Sequence, residues 1–308
     1  MNSYLNNTTF DLTIIVTSFD ENLINNFFYS INLNNNLNLL IIFVNQGLFL
    51  KQINNFTKHS QVIEIKTKKI GISEARNIGL DYFFQKKIIS DHILFCDDDS
   101  TFDNSFFEKY KYVISKNISY LFDVYSIGTN KLYIPNNCKE GDLIKKNNLK
   151  AALGVNMLIS VDVINEVKFF DTNVGPGTLF GAAEDTDYFI RCIDVCKFFT
   201  YTKGIYNFHP STDYKYGNTS LKNLLKRFIN YGNGVVYVLL KHKLYLRAIT
   251  ICFRSLGGSL YSILKLDFRL SFIYLITFFT RISLMIRIIL NRNKYFVNDR
   301  NFSLDSSV

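Results

Sequence analysis

The sequence predicts an α/β fold, with a central, mostly parallel sheet flanked by helices and an amphipathic helical extension at the C-terminal end. Three observations predict it. Short apolar runs alternate with longer segments of helical spacing, polar and acidic residues stand directly behind those runs, and the cations collect toward the end of the chain.

The strand-like runs are LTIIV (12–16), LLIIFV (39–44), VIEI (62–65) and HILFC (92–96). Separated mostly by helix-length segments, they are the strands of βαβ units, which pair in parallel. Ligands of such sheets sit beyond the carboxyl ends of the strands, which here are TSFDE (17–21), NQG (45–47), KTKKIG (66–71) and DDDS (97–100). In GISEARNIGL (71–80), Gly71 supplies a turn and Ser73 an N-cap, so Arg76 and Asn77 fall in the first helical turn, beside free backbone amides that suit an anion. The asparagine-rich INLNNNLNLL (31–40) carries no functional signal.

Beyond residue 102 the pattern predicts a helix over 104–116, a polar Asn/Lys loop over 136–150 and an apolar segment, ALGVNMLISV (152–161). GPGTLFGAAEDTDYFIRC (175–192) joins a Gly/Pro loop to a helix on which Phe189, Cys192, Ile193 and Cys196 share one face. Glu184, Asp185 and Asp187 then stand at its N-terminus, where the helix dipole favours negative charge. In RFINYGNG, Tyr231, Gly232 and Gly234 suit either a flexible loop or close packing. With 308 residues, 48% of them hydrophobic, and no Pro/Gly/Ser-rich linker, the chain supports one large domain over 1–240 and a helical region over 241–308.

That last region holds eleven Lys and Arg against Asp267, Asp299 and Asp305, a surplus of +8 out of a formal +9 for the whole chain. The cations are interleaved with Leu, Ile, Phe and Tyr, which favours an anionic membrane surface and argues against nucleic acid. The uncharged run Leu270–Thr280 covers only eleven residues, against the ~20 of a spanning helix, so the helices are expected to lie in the bilayer interface, with a re-entrant or spanning segment as the alternative. No basic segment followed by an apolar one opens the chain, so the body is expected on the cytoplasmic face of the membrane. The five cysteines, with no C-x-x-C pair, are expected as small buried hydrophobes in a reducing compartment.

The chemistry centres on Asp97, Asp98 and Asp99. Adjacent like charges repel, and a hydrated acidic turn and a bound cation both answer the charge. In an extended segment Asp97 and Asp99 point the same way while Asp98 turns aside, and such a pair suits a hard divalent cation with open positions for phosphate oxygens. His209, in NFHPST, reads either as a surface or hydrogen-bonded histidine or as the imidazole that completes such a shell. Arg76 pairs with a phosphate or with a carboxylate of the triplet. Glu184 and Asp185, on a separate helix start, suit proton abstraction from an acceptor hydroxyl while a diphosphate departs on the opposite side, a single inverting displacement.

In their order, IIVTSFDE, GISEARNIGL, CDDDS and GAAEDTDYFIRC resemble the motifs of glycosyltransferase family 2, over about residues 11–235. The resemblance implies a GT-A fold and an inverting, metal-dependent glycosyltransferase of the hexosyltransferase type. It assigns Mn2+ or Mg2+ on the diphosphate to Asp99, the ribose or metal to Asp97 and the general base to Asp185. Thr17, Ser18, Asp20 and Glu21 would line the nucleotide pocket, with Arg76 near the base or phosphates. Asp98 is grouped with the donor-contacting residues but expected to tolerate change best. Asn45 stands where many members carry an acidic residue against uracil, and an amide also bonds a base edge. The implied partners are a nucleotide-sugar donor, UDP-linked, and a saccharide or polyprenyl-diphosphate-linked acceptor in cell-surface polysaccharide synthesis. A sugar nucleotidyltransferase would need a Gly-rich loop with a basic residue where TSFDE stands, and a catalytically silent scaffold would not need both acidic clusters.

Overall fold

The computed structural model describes residues 8–31, 37–48, 60–129, 131–211 and 220–296, which form two compact units. One comprises Met1–Phe170 and Asp185–Gly217, the other Asp171–Glu184 and Asn218–Val308. The second unit thus takes up the chain from Asn218 onward together with a central segment.

The first unit is built on a seven-stranded sheet in the order β3-β2-β1-β4-β6-β5-β7. The strands are β1 (Thr9–Ser18), β2 (Leu39–Asn45), β3 (Ser60–Lys66), β4 (Ile89–Asp97), β5 (Ser119–Ser126), β6 (Met157–Ser160) and β7 (Phe199–His209). Each of the four predicted runs is a strand, and β1, β2, β3 and β4 pair in parallel. β6 runs antiparallel to both β4 and β5, while β5 and β7 are parallel, so β7 points the same way as β4.

Helices α1 (Glu21–Ile31), α2 (Ile72–Gln85), α3 (Asn104–Val113), α4 (Val161–Val167) and α5 (Glu184–Val195) accompany the strands. Successive strand residues feed opposite layers. Leu12, Ile14 and Val16 of β1 join Leu39, Ile41 and Phe43 of β2 in a core with Ile24 and Phe27 of α1 and Phe106 of α3. Ile15, Leu40, Ile42, Ile93 and Phe95 turn the other way, onto Leu80 and Phe83 of α2 and Phe189 and Cys192 of α5. A strand buried on both faces has no polar alternation, which is why β2 is buried at every residue.

The capping of α2 and the end of α3 differ from the predicted pattern, and two further segments take a definite form. The N-cap of α2 is Gly71, without a side-chain cap, and Ser73 is buried inside the helix, so Arg76 and Asn77 lie in its second turn. α3 ends at Val113, short of 116. The first half of 152–161 holds a 3-10 turn, Gly154–Asn156, before β6. RFINYGNG is helical, inside α6 (Leu221–Lys241).

The second unit contains α6, α7 (Tyr245–Leu264) and α8 (Phe268–Leu290), which pack together. Within it Phe180 stacks on Tyr237 at 4.0 Å, and the buried Lys241 Nζ lies 2.7 Å from Asp171. Gly232 serves packing, because a Cβ there would lie 2.2 Å from Arg281 Nε. By length and composition α8 is, among the described residues, the one helix able to cross a membrane. The expectation of a run too short to span rested on counting uncharged residues alone. Asp299 and Asp305, counted in the tail charge, lie outside the described residues. All five cysteines are free thiols, and four are buried.

Candidate active site

Parallel register brings the strand ends together. Thr17 stands opposite Asp97, Ser18 opposite Asn45, and Asn45 opposite Lys66. β4 ends at Asp97, and Asp98 and Asp99 form a turn closed by Ser100 N–H donating to the Asp97 carbonyl at 3.1 Å. Asp97 and Asp99 converge as expected, but through this turn and not through strand alternation.

His209 joins them because β7 shares the direction of β4. Paired backbone bonds between Thr101 and Phe208, at 3.0 and 2.9 Å, hold the segment after the turn against the end of β7. His209 Nε2 then lies 3.1 Å from Asp99 Oδ1 and 3.8 Å from Asp97 Oδ2. Asp97, Asp99 and His209 each offer one ligand atom, all within 4.8 Å of one another.

The donor set suits a divalent cation: two hard carboxylate oxygens and one imidazole nitrogen. His209 Nδ1 lies 3.0 Å from the Pro210 carbonyl, and a proton donated there turns the Nε2 lone pair of the neutral ring toward the carboxylates. Without a cation the same nitrogen holds a proton. Burial alone would lower the His209 pKa, but hydrogen bonds to Asp97 and Asp99 and their negative charge raise it to about 9. Burial pushes Asp97 upward, yet the His209 hydrogen bond and the Arg76 charge outweigh it and hold the carboxyl below its ordinary value.

Arg76 links this cluster to the second acidic site. Only 1% exposed, its guanidinium reaches Asp185 Oδ1 with Nη1 at 2.5 Å and Asp97 Oδ1 with Nη2 at 3.0 Å. Of its two sequence-based alternatives, carboxylate pairing is the one made within the chain. Asp185 sits in the first turn of α5 with its side chain 23% exposed. Glu184, the first residue of α5, is buried and belongs by its contacts to the second unit, as the last residue of the segment Asp171–Glu184. Asp187 instead pairs with Arg191 at 2.9 Å, one turn on.

Asp98 points away from the cluster, as expected, to the Ser18 hydroxyl. Burial, followed by the charges of Asp99, Asp97 and Asp20, raises its pKa to about 6 despite that bond. Thr17 is buried beside Asp97 in register. Asp20 caps α1, accepting from the backbone amides of Asn22 and Leu23 at 3.0 and 3.1 Å, and Glu21 is exposed in the first turn. Asn45 donates to Glu64 Oε1 at 2.5 Å and to the Leu48 carbonyl at 3.0 Å, and accepts from Leu48 N–H at 2.7 Å, so its amide is committed to the chain.

Two contributors were missed from sequence. Glu64 brings a carboxylate to the second strand end from the neighbouring strand, with no local motif to mark it. A Cβ on Gly154 would lie 2.6 Å from Asp185 Oδ1 and 2.8 Å from Arg76 Nη2, so only glycine fits beside this ion pair. A lone glycine within an apolar run was its only signal.

No protein-family model and no curated protein matches the sequence. Solved structures share the fold. S. aureus TarS 1-349 superposes with a TM-score of 0.52 at 9% identity, over 91% of both chains. The same fragment in complex with UDP-GlcNAc gives 0.51 at 11% identity, over 72% of this chain and 65% of that one. A longer TarS structure gives 0.51 at 11% identity over 74% of this chain, which spans 42% of its length. The α/β fold is thus that of the GT-A glycosyltransferases.

Proposed function

We propose that the chain is an inverting, metal-dependent glycosyltransferase. It moves a sugar from a nucleotide diphosphate sugar, UDP-linked, to a saccharide or lipid-linked saccharide acceptor of a cell-surface polysaccharide. One observation carries the reading: the Arg76 guanidinium pairs with Asp185 on one side and with Asp97 of the Asp97/Asp99/His209 group on the other, an arrangement that suits a base and a cation working on opposite sides of it. The UDP and UDP-GlcNAc complexes of TarS, with the shared fold, support the donor class.

Asp97, Asp99 and His209 would hold the cation, which supplies charge neutralisation to the diphosphate. Asp185 takes the proton of the acceptor hydroxyl, whose oxygen forms the new bond to the anomeric carbon. The bond from that carbon to the diphosphate oxygen breaks on the opposite face, its electron pair leaving with the nucleotide. Arg76 fixes the Asp185 carboxylate so that one approach direction is preserved.

Purified protein incubated with a panel of nucleotide sugars and Mn2+ or Mg2+ is expected to release the nucleoside diphosphate from one of them selectively. Asp99→Ala and Asp185→Asn should each abolish transfer, and full turnover in either variant overturns the assignment of that residue.

A further inference from the structure

Helices α7 and α8 invert the polarity of a water-soluble helix pair. The buried face of α7 is Ala248, Cys252, Ser255, Ser259 and Ser262, and that of α8 includes Ser271 and Thr277. The Ser259 hydroxyl meets that of Ser271 at 2.9 Å, and Arg281 Nη1 bonds Ser255 Oγ at 2.5 Å and the Ile251 carbonyl at 2.9 Å. Small residues with hydrogen bonds between them are the packing of helices surrounded by lipid.

The large apolar residues face outward. On α7 they are Leu246, Ile249, Phe253, Leu260 and Leu264, at steps of three, four, seven and four, a single stripe. Phe268, Phe272, Leu275, Phe279 and Ile286 repeat the pattern on α8. Cations border each stripe: Arg247 and Arg254 are two turns apart along one side of α7, and Arg269 and Arg287 are five turns apart on α8.

We propose that the α7–α8 hairpin is a lipid-contacting element, its two outward stripes seated in acyl chains and its bordering arginines against anionic headgroups. Charge selects the occupant. A second copy would bring another +8 surplus against this one, whereas a bilayer surface is apolar within and anionic at its rim. Length agrees, since the 23 residues of α8 extend about 35 Å against ~30 Å of hydrocarbon. The inference stands apart from the transferase reading and needs no sugar donor to test.

The chain holds no tryptophan, so Phe279→Trp introduces a single fluorescent reporter. With vesicles of phosphatidylcholine and phosphatidylglycerol, its emission should shift to shorter wavelength and be quenched by bromines on the acyl chains. Tyr112→Trp, on the exposed face of α3, should stay unquenched. Phe272→Glu combined with Phe279→Glu should weaken vesicle flotation by about a hundredfold. Should that pair misfold, the reporter still decides. Unshifted emission with the protein left below the vesicles overturns the proposal. A blue shift that needs no vesicles and grows with protein concentration overturns it too, in favour of self-association.

Discussion

Arg76 is buried and Arg281 half-buried, and each presses its guanidinium against a glycine, Gly154 in one case and Gly232 in the other. Their partners differ. Arg76 lies between two carboxylates, Asp97 and Asp185, whereas Arg281 bonds a serine hydroxyl and a backbone carbonyl. The first arrangement fixes charges that can do chemistry. The second uses a cation as a stitch between helices, and the contrast shows that an arginine drawn in from the surface does not by itself mark a reactive centre.

The largest test breaks the first arrangement. Arg76→Met leaves two carboxylates facing each other without their cation and should cost about 3–5 kcal/mol in denaturant unfolding, with transfer lost. A loss below about 1 kcal/mol would mean that the carboxylates had never depended on it.

Next comes pH, which should act on the first unit and not the second. In metal-free protein the raised His209 pKa, about 9 against an ordinary 6.5, gives stability that is complete below pH 6.5 and disappears as pH rises through 9. The contribution is on the order of 3 kcal/mol and should be absent from His209→Asn. Asp97, whose pKa is lowered, contributes in the opposite sense, its share present above the ordinary carboxylate value and lost toward acid.

Gly154→Ala should cost about 1–3 kcal/mol by overpacking and also displace Asp185, so activity should fall with stability. Gly232→Ala forces only one side chain aside and should leave activity unchanged. The smallest effect is expected of Arg281→Met, within about 1 kcal/mol in either direction, because an apolar side chain of similar volume replaces a charge that has no carboxylate partner among the described residues.

Much of this was legible in the chain. Apolar runs ending in polar residues located four strands, and the aspartate triplet and His209 were singled out as one candidate cation shell, whose ligand atoms from Asp97, Asp99 and His209 lie within 4.8 Å of one another. What sequence could not supply was long-range orientation. His209 reaches Asp99 only because β6 runs antiparallel between β4 and β5, a reversal that no local pattern encodes. The capping of α2 was misplaced because Gly71, Ile72 and Ser73 offer several helical starts, and tertiary packing took the one that buries Ser73. In α7 the small stripe and the large stripe have the same period. Periodicity reveals that two faces exist and is silent on which one meets solvent.

The register of the sheet has a consequence for biosynthesis. Thr17 pairs beside Asp97, and Thr101 bridges to Phe208, so partners emerge from the ribosome some eighty and one hundred residues apart. The aspartate triplet is made long before Asp185 and His209, and of the cations that pair with it among the described residues, Arg76 is made before it and His209 after. Contacts of such separation form slowly, so the polar centre of the sheet unit is the last part of it to close.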